Sequence, residues 1–597
     1  MPGNKRILIA LALTVFFGIV LRAQTVYRLP KVLYLTTGAD AGRGTVSDGI
    51  VYALQAFNRE GVQVRLESRK ILLEPERLAE YDLMFVPAIA GYHDAGRKYG
   101  LTFMADEELK NISAWIKNGG MLVSDVNMGR NTLTGKDRLA GKTELNATNW
   151  ELGDCVGTGL KEINTKNFRI TDTGWHIFNH PVLQAATKDL WRAVPANVPE
   201  GSRILLHWTD GKTSYPAAVL HRCGKGKILL LPTYYILHPL DDGGLSTKEE
   251  LNRIYHSIYE ETLPAIRYPV RISPWKDACS TVYCQTFDDG GNKEEYRRIF
   301  DFIERNELPT VFFVTPGIDK EIIAELQQQK YISLQGHSYS HPDFRKLNYE
   351  ETYREFLLNK AFWQKDFKGF RFPYVSNSFW GMYWLEQLGF TYETSIAANN
   401  IEFVRGSVVP YNIPVFKDGY YLTLDLLEIS QIYHSDWYFY QKSLEKTPYT
   451  PEEQQADAGR FEAYLKQYFD EVVAPENGIM VFLGHPMYAG YSETTLKPLQ
   501  NFIDYLKTRN VWFASLNEVA ERWKKLSDLQ TEITEKNNEV SITLDLPAEK
   551  EIKGFTLLLP AQPQQVITNN KYQIQEKNGK ILLILDIAGH TEVKLVY

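Results

Sequence analysis

Cysteine is scarce in this chain, with Cys155, Cys223, Cys279 and Cys284 the only four in 597 residues. So few and so scattered, they exclude a disulfide-dense scaffold and a cysteine metal site. Cys279 and Cys284 fall on or beside one expected strand, where extension holds them apart, so they read as core residues and not as a bridge. A surplus of positive charge is also missing. Sixty-six Lys and Arg against 73 Asp and Glu leave a net charge of −7, which excludes nucleic acid and an anionic membrane as main partners. No internal repeat or low-complexity tract stands out. Long hydrophobic runs reduce to one, Ile7 to Leu21, preceded by Lys5-Arg6 and followed by Arg22-Ala23-Gln24. A charged start, an apolar run and a small residue predict a secretory signal peptide over 1–24, cleaved near Ala23 or Gln24. The run is short for ~30 Å of hydrocarbon, so no stable membrane span is expected after cleavage. No Cys lies near the cleavage point, which argues against lipoprotein processing. The protein is expected to be secreted or periplasmic.

What remains is ordinary globular material, 44% hydrophobic and 23% charged. Its length predicts three or so domains. Residues 25–262 read as an α/β unit. Strands are expected at Val32–Leu35, Val62–Leu66, Leu83–Pro87 and Met121–Asp125, with a helix from Asp106 to Lys117 that stops at Asn118-Gly119-Gly120. Alternating strands and helices predict a parallel sheet. Pro264, Pro269 and Pro274 mark residues 263–277 as a linker. Residues 278–525 again alternate strand and helix, which suggests a barrel with its chemistry at the strand C-ends. Thr423 to Ala474 interrupts the alternation and is expected to be an elaboration over the site. From 528 to 597, short alternating strands predict a small all-β sandwich.

The second α/β region carries the chemistry-bearing residues. Asp288-Asp289 ends the β-branched and aromatic run Ser280–Gln285 and meets Gly290-Gly291. His337 and His341 are spaced i, i+4, which on a helical turn puts both rings on one side. Arg371 and His485 follow at further strand ends. One carboxylate with two imidazoles makes a three-ligand site for a divalent metal, with Zn²⁺ the preferred ion. A second carboxylate can accept a proton from water, and a separate His can protonate a leaving group. This is equipment for amide or ester hydrolysis. Asp288 and Asp289 are strand neighbours, whose side chains alternate, so both face one site only if the pleat relaxes at the glycine pair.

Thr286-Phe287-Asp288-Asp289-Gly290, His337-Ser338-Tyr339-Ser340-His341, Arg371-Phe372-Pro373-Tyr374 and Leu483-Gly484-His485 resemble the ordered motifs of the polysaccharide deacetylases, the NodB-homology or carbohydrate esterase family 4 group. The resemblance implies a distorted (β/α)7 barrel. It also implies Asp288 as catalytic base, Asp289, His337 and His341 as metal ligands, Arg371 orienting Asp288, and His485 as general acid. A further Asp orients the acid in that family, and Asp418 and Asp436 are both candidates. The last motif departs from the pattern by reading Gly-His-Pro. Residues 25–262 resemble, on weaker motifs, the class I glutamine amidotransferase-like fold, including its ThuA-like branch. The nucleophilic Cys that this chemistry needs is missing after Met121–Asp125, where the chain reads Val126-Asn127-Met128-Gly129, so that domain is expected to be non-catalytic. The function implied is an exported, metal-dependent deacetylase acting on N-acetyl or O-acetyl groups of a polysaccharide. The alternative is a glycan-binding protein that kept the barrel and lost turnover. Nothing in the sequence fixes the oligomeric state.

Overall fold

The computed structural model describes residues 24–36, 41–42, 45–87, 100–156, 160–162, 168–180, 182–184, 193–195, 198–240, 244–398, 406–417, 420–445, 448–577 and 579–597. The expected signal peptide up to residue 23 and the candidate Asp418 lie outside them. The chain divides into two compact units. One is built from the chain up to Leu29, Leu263–Ser273 and Asp528–Tyr597, and the other from Pro30–Thr262 and Pro274–Ser527.

Among the described residues the larger unit holds two nine-stranded sheets, besides two short two-stranded ones. In the first, β1 (Val32–Thr36), β2 (Val64–Ser68), β3 (Leu83–Val86), β4 (Met121–Asp125) and β5 (Gly226–Leu231) run parallel in the order β5-β4-β3-β1-β2. Every residue of β1, β3 and β4 is buried, the pattern of strands covered on both faces. Beyond β5 the sheet continues antiparallel through Ser214–Cys223, Arg203–Thr209, Arg169–Asp172 and Leu183–Gln184, so it is mixed and not wholly parallel. Cys155 and Cys223 are joined in a disulfide, their Cα atoms 4.9 Å apart across a sequence separation of 68. Cys279 and Cys284 are not joined to each other, as expected, and the Cys155–Cys223 pairing is one the sequence reading did not address. The pairing depends on the fold, which sets the short helix Gly153–Val156 beside the end of Ser214–Cys223.

The second sheet carries β6 (Thr281–Phe287), β7 (Thr310–Val314), β8 (Ile332–Gly336), β9 (Gly369–Phe370), β10 (Tyr392–Glu393), β11 (Tyr411–Lys417), β12 (Tyr420–Glu428) and β13 (Ile479–Gly484), ordered β11-β12-β10-β9-β8-β7-β6-β13. Val511–Phe513 also pairs with β6, making nine strands. All run parallel except β11, which forms a hairpin with β12. Gln431 bridges both Ala397 and Val481, so hydrogen bonding passes from the end of β12 across to β13 and the sheet curls. Thr423 to Ala474 is therefore more than a cover. Its start completes β12, and it continues as α4 (Asp436–Leu444) and α5 (Pro451–Tyr468), numbered after α1 (Asp106–Lys117), α2 (Lys293–Asn306) and α3 (Tyr349–Trp363).

The two sheets meet within this unit. The Asn412 amide on β11 accepts from the Leu66 N–H at 2.9 Å and donates to the Leu66 carbonyl at 2.8 Å. One side chain thereby imitates a strand partner at the edge formed by β2.

The smaller unit is all β-structure among its described residues. Thr25–Tyr27 pairs with Gln530–Lys536 in a five-stranded sheet that also holds Glu539–Asp545, His590–Val596 and Gln565–Ile567. Arg271–Ser273 edges a four-stranded sheet with Glu551–Leu559, Lys580–Ala588 and Tyr572–Lys577. The expected linker is thus in part an edge strand. Prolines at 269 and 274 flank it, as suits a segment that pairs on one side only.

Candidate active site

The C-terminal ends of β6, β7, β8 and β13 bring the polar residues together. Thr281–Phe287 is buried at all seven positions and stops at Asp288. The Asp288 N–H still donates to the Gly484 carbonyl at 2.8 Å, but Gly290 and Gly291 have φ of 97° and 133°. In that region a side chain would be strained, and the departure from the pleat lets both carboxylates border one space. Asp288 Oδ2 and Asp289 Oδ1 each lie 3.9 Å from His337 Nε2.

His337 follows β8 directly, but no helix carries the pair. His341 is reached through a loop in which Ser338 and His341 themselves have φ of 76° and 55°. Helix α3 fastens that loop. Glu355 accepts from the N–H groups of Tyr339 (3.0 Å) and Ser340 (2.9 Å) and from the Ser340 hydroxyl (2.7 Å), and the Asn359 amide donates to the carbonyls of Val314 and Ser338. The i, i+4 spacing therefore works by a different backbone route, and the rings end 5.1 Å apart.

The donor set suits a divalent ion. His337 Nδ1–H donates to the Arg371 carbonyl at 2.7 Å, which fixes the tautomer and leaves Nε2 as the atom that could ligate. Burial, then the adjacent His337, lower the pKa of His341 and favour its neutral, ligating form. Asp289 accepts from the Thr315 hydroxyl. Its Oδ1 lies 3.7 Å from His341 Nε2. The three ligand atoms are within 4.8 Å of one another, so ligand bonds of ~2.0–2.2 Å need only a small inward movement.

Two buried ion pairs flank this triad. Arg371 is wholly buried and donates to Asp288 Oδ1 at 2.7 Å, to Thr286 Oγ1 at 2.9 Å and through Nε to the Thr394 carbonyl at 3.0 Å. Its guanidinium sits 4.4 Å above the Phe313 ring. Burial alone would raise the Asp288 carboxyl, but Arg371, with His337 and His485, holds it below its ordinary value. On the other side, Asp436 at the start of α4 is wholly buried. Its Oδ1 accepts from His485 Nδ1–H at 2.9 Å and its Oδ2 from the His485 N–H at 2.7 Å. Burial disfavours the charged imidazole, yet Asp436 raises His485 overall. Between the two candidate partners of His485, the structure places Asp436 in contact.

Residues 276–392 match the family model for polysaccharide deacetylase. The deacetylase match takes in Asp288, Asp289, His337, His341 and Arg371 and stops before Asp436 and His485. No curated protein matches the chain. Among solved structures it is similar to the chitin deacetylase of Colletotrichum lindemuthianum (16% identity over 40% of this chain and 88% of that one, TM-score 0.27). It is likewise similar to a family 4 carbohydrate esterase of Streptomyces lividans in complex with acetate (15%, 39% and 92%, TM-score 0.25). A third is the Xyl-CE4 domain of a multidomain xylanase from the hindgut metagenome of Trinervitermes trinervoides (16%, 40% and 90%, TM-score 0.26).

Sequence reasoning missed Thr315, Thr394, Glu355 and Asn359. Thr315 carried a signal, being the first polar residue after the apolar strand Thr310–Val314. The helix residues carried none, because their partners are mostly backbone groups, chiefly of a loop read as helical.

Proposed function

We propose that this protein is an exported, metal-dependent deacetylase that hydrolyses N-acetyl or O-acetyl groups of a polysaccharide. The observation that carries the reading is the pairing of one ligand triad with two oppositely biased ion pairs, Asp288–Arg371 and His485–Asp436. Asp289, His337 and His341 would hold the metal, with Zn²⁺ preferred because two imidazoles suit it. A divalent ion there supplies a Lewis acid that polarises an acyl oxygen and acidifies water. Asp288, kept ionised by Arg371, accepts the proton of the attacking water. His485, kept charged by Asp436, delivers a proton to the departing nitrogen or oxygen. Acid and base are thus held in opposite protonation states by their own counter-ions.

A polysaccharide substrate is supported by the family match and by exposed rings around the site. Tyr374 packs edge-on against the His341 ring at 4.6 Å, and it is 65% exposed, with Trp437 at 46%. Export is supported by the apolar run before Arg22 and by the Cys155–Cys223 disulfide, a bond favoured in oxidising compartments. Among the described residues, no helix is long and apolar enough to cross a membrane. Residues 30–262 are assigned no part in bond cleavage, since both of their cysteines are committed to the disulfide. The test is acetate release from a panel of acetylated glycans with and without chelator. Chelator-sensitive release supports the reading, and binding without release would favour an inactive glycan-binding protein.

A further inference from the structure

Two carboxylates lie side by side in the curled sheet, outside the site described. Glu393 ends β10 and Glu428 ends β12, and the two are direct partners in the parallel register. Adjacent strands are ~4.8 Å apart and register partners share a face, so the two side chains cannot separate. Both are wholly buried.

Their donors are too few. Glu428 Oε1 accepts from the Ile396 N–H at 3.2 Å. Neither oxygen of Glu393, nor Glu428 Oε2, receives a bond of good geometry. The Ser395 hydroxyl accepts from the Phe372 N–H at 2.8 Å and keeps its own O–H to donate to Glu393, while the Ser430 hydroxyl is the neighbouring donor for Glu428. Arg371 is the cation that acts on Glu393, and Tyr411 stands in register with Glu428. Two bare anions in this setting would repel in a low dielectric with mainly neutral hydroxyl donors to answer them. One proton placed between them turns an acceptor into a donor and answers both problems. Burial raises both carboxyls, Glu428 well above its ordinary value, in accord with that state.

The pair also sits at the root of what holds Arg371. Thr394, next after Glu393, gives its carbonyl to Arg371 Nε. Ser395 holds the amide of Phe372, the residue after Arg371, and Ile396 returns its N–H to Glu428. We propose that Glu393 and Glu428 share a single proton across β10 and β12, and that this pair positions Arg371 against Asp288 by fixing the segment Thr394–Ile396. The positioning role rests on the deacetylase reading, whereas the shared proton does not.

The test uses the full chain with Glu393→Gln, Glu428→Gln and Glu393→Ala. Infrared difference spectra, with glutamate labelled in the carboxyl carbon, should show a protonated buried carboxyl at neutral pH in the unsubstituted protein. That band should vanish in either Gln variant, because the new amide supplies the donor and the remaining Glu ionises. Both Gln variants should fold with unchanged metal content and keep kcat within a few-fold. Glu393→Ala should lose about 10²-fold in kcat, the scale of a small misplacement, with KM little changed. Absence of the band, or its survival in both Gln variants, overturns the shared proton. A second metal ion per chain that disappears in Glu428→Gln would also overturn it, by putting a cation in the proton's place. An intact kcat in a folded Glu393→Ala protein overturns the positioning role. If no variant and no unsubstituted protein releases acetate while the band behaves as stated, it is the deacetylase reading that fails and not the proton.

Discussion

Asp125 and Asp288 hold equivalent places in two sheets of one chain. Each is the carboxylate at the C-terminal end of a buried parallel strand, and each is nearly inaccessible to solvent. Asp125 accepts from uncharged groups, the backbone N–H groups of Asn127 at 2.7 Å and Tyr234 at 3.0 Å and the Asn127 side chain, and burial pushes it up to about 6. Asp288 has a guanidinium at 2.7 Å and imidazoles nearby. Burial pushes it up as well, but those charges hold it below its ordinary value. The same fold position therefore gives a hydrogen-bonded turn anchor in one sheet and, in the other, a carboxylate held ionised, the proposed base. What separates them is the set of charges delivered by neighbouring strands.

Several substitutions test that distinction. His337→Ala removes a ligand whose tautomer is already set, so metal content and acetate release should both collapse; metal analysis showing full occupancy would count against the triad. Asp436→Asn should lower the rate by about 10²-fold, part of what a general acid contributes. Its pH signature is signed. Burial lowers the His485 pKa and Asp436 overcomes it, so the charged acid persists to higher pH in the intact protein. The alkaline limb of the rate profile should move to lower pH in the variant, and an unmoved limb would show that His485 is not the acid. Cys155→Ala, or Cys223→Ala, should leave kcat unchanged while costing up to about 4 kcal/mol of stability, read in thermal melts of the larger unit. Asp125→Asn should have no effect on hydrolysis. The folded carboxyl titrates at about 6 against an ordinary 3.8, so folding favours its acid form. Its contribution to stability is full below about pH 4 and is lost as pH rises through about 6. Melts of Asp125→Asn should lose that slope.

The clustering of Asp288, Asp289, His337 and Arg371 was legible in the sequence because each sits just beyond the end of a strand, where strand length and residue type suffice. The route from His337 to His341 was not, since a loop pinned by Glu355 and Asn359 can imitate helical spacing. The contact of Asp436 with His485 was also hidden, because it depends on α4 arriving beside His485 from residues outside the regular alternation. The Cys155–Cys223 bond and the edge strand Arg271–Ser273 lay beyond reach for a related reason. Both are long-range pairings, and local pattern carries no register between distant segments.

The most direct measurement compares Asp288→Asn with Asp125→Asn side by side, recording acetate release and bound metal in each. Both changes are nearly isosteric, and both remove a buried negative charge from a strand end. The account predicts that Asp288→Asn keeps its metal, held by Asp289, His337 and His341, and loses about 10²–10⁴ in rate, while Asp125→Asn keeps both. Equal activity in the two variants, or loss of metal from Asp288→Asn with none from Asp289→Asn, would contradict it.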